Sequence, residues 1–403
     1  VTGALEGVRV IDFTERVQGP YATQILGDLG AEVIKIERVQ AVTPDGRPDE
    51  RYGIPQSEGS LYRATFLANN RNKRSLAINI KDPDGRAVVL DLIENADLVY
   101  ENFRPGVMDR LGLGFDACRE VNPSIIYVSA TGYGDDGPYV AHPGQDLLAQ
   151  ALSGMGQMNV APDGRPLPVG MSITDVLGGM FGVVGALAAI IHQRRTGEGQ
   201  RVSVDLLSSA LAAQGEHLVH YMNSDVGEPY RETAQHAHGY IPPPYGFYRT
   251  QDGFIALSSG RQIGDICHLL GIDDLSQDFR FDTFEKRLAH RSEFETILEA
   301  GLAAKTTDEW LAEMIPAGIF AQAVNTFEKA LADPQVAHRG MVQHAHHSAG
   351  DVNLIALPIS LSETPPSLRL APPDHGEHTR QVLSELNIDE SHVEELFSRK
   401  VVA

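Results

Sequence analysis

At 403 residues the chain is longer than one compact core accommodates, so two domains are expected. Apolar residues make up 42% and charged residues 22%, a balance that excludes a disordered or fibrous chain, and a formal net charge of −21 sets it against nucleic acid and anionic membrane as partners. Cys118 and Cys267 lie far apart in no CxxC or zinc spacing, which excludes a disulfide framework and leaves them as reduced core thiols.

The opening Val1-Thr-Gly-Ala-Leu-Glu-Gly7 lacks the basic and apolar regions of a signal peptide, so a cytoplasmic protein is expected. Val8 to Phe13 reads as a strand, Gly19 to Leu29 as a helix opened by Gly-Pro, and Glu32 to Glu37 as the next strand, a βαβ unit. The alternation continues with strands at Ser75 to Asn79, Asp97 to Tyr100 and Ser124 to Ser129, and with helices from Pro83 to Asn95 and around Val107 to Leu111. Such alternation predicts a parallel, doubly wound sheet. The apolar run Val176 to Ile191 falls short of the roughly 18 to 20 residues of a membrane span and reads as a buried helix. A strand at Gln200 to Asp205 and a helix from Leu206 to about Asn223 follow. Gly227 to Pro244, loaded with His, Gly and Pro, reads as linker and loop. From Tyr245 the alternating runs around Asp252-Gly253 predict a hairpin, helices dominate from Gln262 to about Lys329, and the tail returns to short strands before helices at Glu377 to Leu386 and from Glu390.

Several motifs invite a chemical reading. Gly132-Tyr-Gly134-Asp-Asp-Gly137 spells G-x-G-x-x-G, yet it runs into Gly137-Pro138 and His142-Pro-Gly144 rather than opening a helix, so it is set aside as a dinucleotide site. The histidines at 236 and 238, at 344, 346 and 347, and at 375 and 378 lack matching cysteines or an HExxH pattern and read as solvated loop residues, with no metal site expected. A polyanionic ligand on so acidic a chain needs a local basic cluster, and Arg71-Asn-Lys73-Arg74 with Lys35, Arg38 and Lys81 is the candidate. Asp175 heads the buried apolar run. Asp is a favoured helix N-cap, which is a purely structural role, but Thr174 can cap as well. Gly178, Gly179, Gly182 and Gly185 make an intrinsically poor helix, which implies that a ligand, a backbone or another helix comes close. A carboxylate held dry at such a helix start can act as a nucleophile.

Taken in order, Leu5 to Phe13 with Gly19-Pro20, Leu29 to Glu37, Asn72-Lys-Arg-Ser75, Glu101-Asn-Phe103-Arg-Pro-Gly106, Gly132-Tyr-Gly134, the Asp175 segment, Thr196 to Gln200, Pro244 to Thr250, Leu331 to Gln335 and Gly376 to Thr379 resemble the class III CoA-transferases of the CaiB/BaiF type. The resemblance implies an α/β fold with a Rossmann-like, doubly wound large domain of residues 1–205 and 330–403 and a smaller α+β domain of residues 226–325. Residues 206–225 and 326–329 would be linkers, and two chains would interlock as a homodimer. It implies that CoA moves from an acyl-CoA to a small carboxylic acid through a mixed anhydride and an aspartyl-CoA thioester on Asp175, with CoA as substrate and no permanently bound cofactor. The CoA contacts carried over are Gln18 or its neighbour Val17, Arg38, Ile78, Asn79, Lys81, Asn102, Phe103, Arg104 and Arg110, and the substrate pocket takes Gln145, Asp146 and Tyr240. Two alternatives follow from the same resemblance: a 2-methylacyl-CoA racemase and a catalytically silent CoA-binding paralogue. Racemases place a histidine before the aspartate of Gly144-Gln145-Asp146; Gln145 cannot serve as a base, and His142 is the nearest substitute. Where formyl-CoA transferases carry a glycine-rich lid, this chain has the proline-stiffened His236 to Pro244.

Overall fold

The computed structural model describes residues 3–40, 61–158, 160–161, 163–225, 227, 237–348 and 350–403. The chain divides into two compact units, one of Val1–Leu152, Gly170–Ala213 and Pro334–Ala403, the other of Ser153–Val169 and Gln214–Asp333.

In the first unit, β1 (Arg9–Asp12), α1 (Gln18–Asp28), β2 (Glu32–Glu37), α2 (Leu61–Asn69), β3 (Lys73–Ala77), α3 (Pro83–Glu94), β4 (Leu98–Glu101), α4 (Val107–Arg110), α5 (Phe115–Val121), β5 (Ile126–Thr131), α6 (Asp146–Leu152), α7 (Ile173–Thr196), β6 (Arg201–Asp205) and α8 (Leu206–Ala213) follow one another. The six strands form one parallel sheet in the order β3-β2-β1-β4-β5-β6, with Ile11 facing Ile34 on one side and Val99 on the other. Helices cover both faces, so β1 to β5 are buried almost throughout rather than on alternate residues. The chain reverses direction across the sheet between β1 and β4, the place where such folds open a crevice at the carboxyl ends of their strands. Gly132 to Gly137 forms bends and opens no helix.

The second unit begins its main stretch with α9 (Gly215–Asn223), so the helix expected over 206–223 is two, divided at Gln214. The antiparallel hairpin of β7 (Tyr245–Arg249) and β8 (Phe254–Ser258) turns at Asp252-Gly253, pairing Phe247 with Ala256. The helices α10 (Ile263–Leu270), α11 (Phe284–Ala289), α12 (Arg291–Leu302) and α13 (Thr307–Met314) follow, then β9 (Ala321–Ala323), which pairs with β8, and α14 (Phe327–Leu331). Tyr248, Phe281, Phe294 and Trp310 fill its core, and the Arg291–Glu295 ion pair is fully enclosed.

The first unit is completed by α15 (Pro334–His338), the hairpin β10 (Val342–His347) and β11 (Gly350–Ile355), and helices α16 (Thr379–Glu385) and α17 (Glu390–Ser398). One apolar cluster packs α3, α16 and α17 on one face of the sheet, and a second packs α1 and α7 on the other. Helix α7 is longer than its apolar run, continuing through Arg194 and Arg195 to a left-handed cap at Gly197. It is therefore long and apolar enough to cross a membrane, contrary to the sequence expectation, although its glycine face is packed inside the unit. A methyl group at Gly179 would strike the Gln18 carbonyl oxygen at 2.7 Å, and one at Gly182 the Tyr100 hydroxyl at 1.9 Å. Close approach of α1 and the sheet is what those glycines permit. Cys118 and Cys267 are buried and unpaired.

Candidate active site

A cavity of about 970 Å³ opens at the carboxyl ends of β1, β2, β3 and β4. Arg38, Ile78, Asn79, Lys81, Phe103, Arg104 and Arg110, all named from the sequence, line it together with Phe13 to Arg16, Pro20, Lys35, Glu37 and Lys400. Gln18 and Asn102 stand apart from the lining. Gln18 is buried at the start of α1 against Gly178 of α7, its amide nitrogen without a hydrogen-bond partner among the described residues. The Asn102 amide is locked to the Glu15 backbone, accepting from its N–H and donating to its carbonyl at 2.8 Å each, so it shapes the wall through Glu15.

The basic cluster read at Arg71 to Arg74 is not a ligand site. Arg71 pairs with Asp28 at 2.6 Å, Lys73 with Asp12 at 3.0 Å, and Arg74 with Glu32 and Glu385, all within the unit. Because β3 is covered on both faces, its cations point into protein instead of solvent. Burial alone would raise the Asp12 carboxyl, but Lys73, Lys35 and the Thr14 hydrogen bonds outweigh it and hold Asp12 at about 2. The Lys35 ammonium donates to Thr14 O at 2.7 Å beneath the cavity floor. This network fixes the β1–α1 turn and the start of α1, from which Thr14 to Arg16 and Pro20 respectively reach the cavity.

Asp175 occupies the third position of α7; Ser172 is the N-cap, so neither Asp175 nor Thr174 caps the helix. Its half-buried carboxylate accepts no hydrogen bond among the described residues. Burial, and then the Asp146 carboxylate, raise it to about 7. The positive helix end, worth about 0.3–1 kcal/mol, is outweighed by that burial and like charge. Asp146, at the start of α6, is itself anchored: Thr174 donates to one oxygen from its N–H at 2.7 Å and its hydroxyl at 2.8 Å, and the Gln150 amide donates to the other at 2.7 Å. Thus α6 and α7 clasp a fixed negative charge beside a free carboxylate. Asp175 does not line the large cavity, but α1 touches both places, Pro20 at the cavity and Gln18 at the turn of α7 below Asp175.

Gln145 is exposed ahead of α6, and His142 is exposed with its ring stacked on Tyr139 at 4.8 Å. Tyr240 belongs to the second unit, where its hydroxyl donates to Gly227 O at 3.0 Å and its ring lies against His220. Several histidines are not the solvated loop residues expected. His238 stacks on His217 at 3.9 Å and burial lowers both, His344, His346 and His347 lie on β10, and the His378 ring accepts the Ser75 N–H. Of the segment His236 to Pro244, His236 lies outside the described residues, and the rest runs as turns and bends. Among the described residues no cluster of three His, Cys, Asp or Glu side chains is arranged to hold a metal ion.

Sequence reasoning missed Arg16 and Lys400 on the cavity wall. Arg16 stands three residues beyond the strand end recognised at Phe13, a signal that was available. Lys400 reaches the cavity only through the pairing of the final residues with the end of β3, and no local pattern announces it.

A profile of the family described as CoA-transferase family III matches residues 5–379. The chain is 36% identical over 400 residues to an acyl-CoA transferase of Fusarium pseudograminearum, spanning 96% of this chain and 86% of that protein. It is 35% identical over 403 residues to the succinyl-CoA:glutarate CoA-transferase of Mus musculus, spanning 99% and 90%. A solved CAIB/BAIF family protein from Brucella suis shares the fold with a TM-score of 0.82 at 32% identity, spanning 96% of this chain and 100% of that one.

Proposed function

The chain belongs to CoA-transferase family III and is an enzyme of the transferase class, and from that premise we propose that it moves CoA from an acyl-CoA donor to a free carboxylic acid with Asp175 as the nucleophile. The observation that carries this reading is a half-buried carboxylate at the start of α7 whose oxygens accept no hydrogen bond among the described residues. Such an anion, once ionised, is poorly solvated and basic, and therefore nucleophilic.

In the proposed sequence an Asp175 oxygen attacks the thioester carbonyl, the carbon–sulfur bond breaks, and CoA leaves as thiolate from a mixed anhydride. The thiolate then attacks the Asp175 carbonyl carbon, expelling the donor acid as its carboxylate and leaving an aspartyl-CoA thioester. The acceptor carboxylate attacks that thioester, and the released thiolate takes the acceptor acyl group, restoring Asp175. The pantetheine arm would run from the large cavity past the first turn of α1 to Asp175, with the cations of the cavity wall on the phosphates. The relatives' dicarboxylates make succinyl-CoA and glutarate the first pair to assay. The reading includes a cytoplasmic, interlocked homodimer; the exposed Met180, Phe181, Val184 and Ile191 of α7 and Leu147, Leu148 and Leu152 of α6 support a partner over that face.

The test is mass spectrometry after incubation with succinyl-CoA and hydroxylamine. A hydroxamate at Asp175, with CoA exchange that requires glutarate, supports the transferase. Asp175→Ala should lower exchange by at least about a thousandfold; full exchange by that variant would sink the mechanism. Solvent deuterium entering the alpha carbon of a 2-methylacyl-CoA without any acceptor acid would instead establish the racemase.

A further inference from the structure

Helix α17 ends in a turn whose geometry favours glycine, yet the turn carries a lysine. Arg399 is the C-cap, and Lys400 follows it at φ +56°, in the left-handed region. The Lys400 N–H donates to Phe397 O at 3.0 Å and the Val401 N–H to Leu396 O at 2.9 Å, the two bonds that close a helix end of this type. A side chain is strained there and glycine is not, so the turn itself gives no reason for a lysine.

The residues that follow fix where that side chain stands. The Asn79 N–H donates to Val401 O at 2.8 Å, Ile78 and Val402 form an antiparallel bridge, and the Ala403 N–H donates to Ala77 O at 3.1 Å. Lys400 is thereby set on the wall of the cavity that Asn79 and Lys81 also line, so Lys81 and Lys400, two cations 319 positions apart in sequence, share one cavity. Its neighbour Arg399 is occupied by Asp82, Asp84 and Glu395. Lys400 is exposed and, among the described residues, has no ion-pair partner. Of the carboxylates of the same wall, Glu15 pairs with Arg38 at 3.2 Å, and Glu37 is buried with one oxygen accepting from the Ser75 hydroxyl.

We propose that Lys400 is a phosphate-binding residue of this cavity, holding with Lys81 a phosphate group of the acyl-CoA. The proposal rests on the transferase reading above. An ammonium on a backbone anchored by β3 meets an anion without a search through loop conformations, and in a chain of charge −21 a phosphate is held only where local cations outnumber free carboxylates.

The test compares wild type with Lys400→Gly and Lys400→Arg. Calorimetry gives the affinity for coenzyme A and for 3′-dephospho-coenzyme A at low salt, and succinyl-CoA kinetics with glutarate give KM and kcat. Glycine relieves the left-handed strain, so Lys400→Gly should keep or raise the Tm while weakening coenzyme A binding and raising KM roughly threefold to tenfold at unchanged kcat. Lys400→Arg should retain wild-type affinity, and added salt should shrink the difference. Loss with coenzyme A alone assigns the 3′-phosphate; equal loss with the dephospho form assigns the pyrophosphate. Unchanged affinity in Lys400→Gly overturns the proposal while leaving the transferase intact. A raised KM that comes with lower Tm and kcat, and that arginine does not restore, overturns it in favour of a structural role. Failure of the wild type to bind coenzyme A overturns the transferase reading, and this proposal with it.

Discussion

Burial and the neighbouring Asp146 carboxylate raise Asp175 to about 7, so at neutral pH part of the enzyme carries the proton that blocks nucleophilic attack. Under the proposed mechanism kcat/KM should therefore rise with pH through a midpoint near 7 and level off above it, because that ratio reports ionisation in the free enzyme. Replacing Asp146 by Asn removes a like charge, and the midpoint of the pH profile should move down; a midpoint that stays put would separate Asp146 from the titration. Glu101 offers a second residue-scale test. The Ser129 hydroxyl lies 2.6 Å from Glu101 and 2.9 Å from Asp135, which pairs with Arg201, yet it has one proton to donate. A protonated Glu101 satisfies both contacts by donating to Ser129, which then donates to Asp135. Burial raises Glu101 to about 7, consistent with that arrangement. The folded state holds this proton more tightly than the unfolded chain, so the Glu101 contribution is complete below about pH 4.5 and is lost as pH rises to about 7. Relative to wild type, Glu101→Gln should gain stability across that window, on the order of 2–3 kcal/mol. Urea titrations at pH 5 and pH 8 measure it, and equal differences at both would refute the shared proton.

At the scale of elements, α7 and the strand beneath it are fitted to each other. Helix propensity alone favours Gly182→Ala by about 1 kcal/mol. The methyl would meet the Tyr100 hydroxyl at 1.9 Å, and overpacking of that kind costs about 1–3 kcal/mol, so thermal unfolding should show net destabilisation. That hydroxyl has no hydrogen-bond partner among the described residues, so Tyr100→Phe should be well tolerated and should recover much of the loss in the double variant. The strands of the first unit were legible because buried parallel strands read as runs of Val and Ile, and Asp175 was legible because a carboxylate heads an apolar stretch. The extent of α7 was not, since Gln193 to Thr196 are polar and only the cap at Gly197 ends it. Nor was the sidedness of β3 legible: Arg71 to Arg74 look like a phosphate cluster until both faces of the strand are covered.

For the whole molecule, the exposed apolar faces of α6 and α7 predict association. Light scattering of the proposed dimer should give twice the 43.8 kDa of the chain, and a monomer at micromolar concentration would remove that part of the reading. The cavity wall was readable where its residues follow strand ends, as at Arg38 and Phe103, and unreadable where distant chain supplies it, as at Lys400. That long return has a further consequence, in the order of synthesis. The apolar face of β3 and α3 is covered by Val382, Leu383, Val393, Leu396, Val401 and Val402, which follow the entire second unit in the chain. At ribosomal speeds of roughly 5–20 residues per second, the stretch between Ala213 and Pro334 alone takes about 6–24 seconds to emerge. Throughout that interval the nascent sheet shows a bare flank to solvent. Translation pace and chaperone supply should thus govern soluble yield more than the stability of the finished fold does.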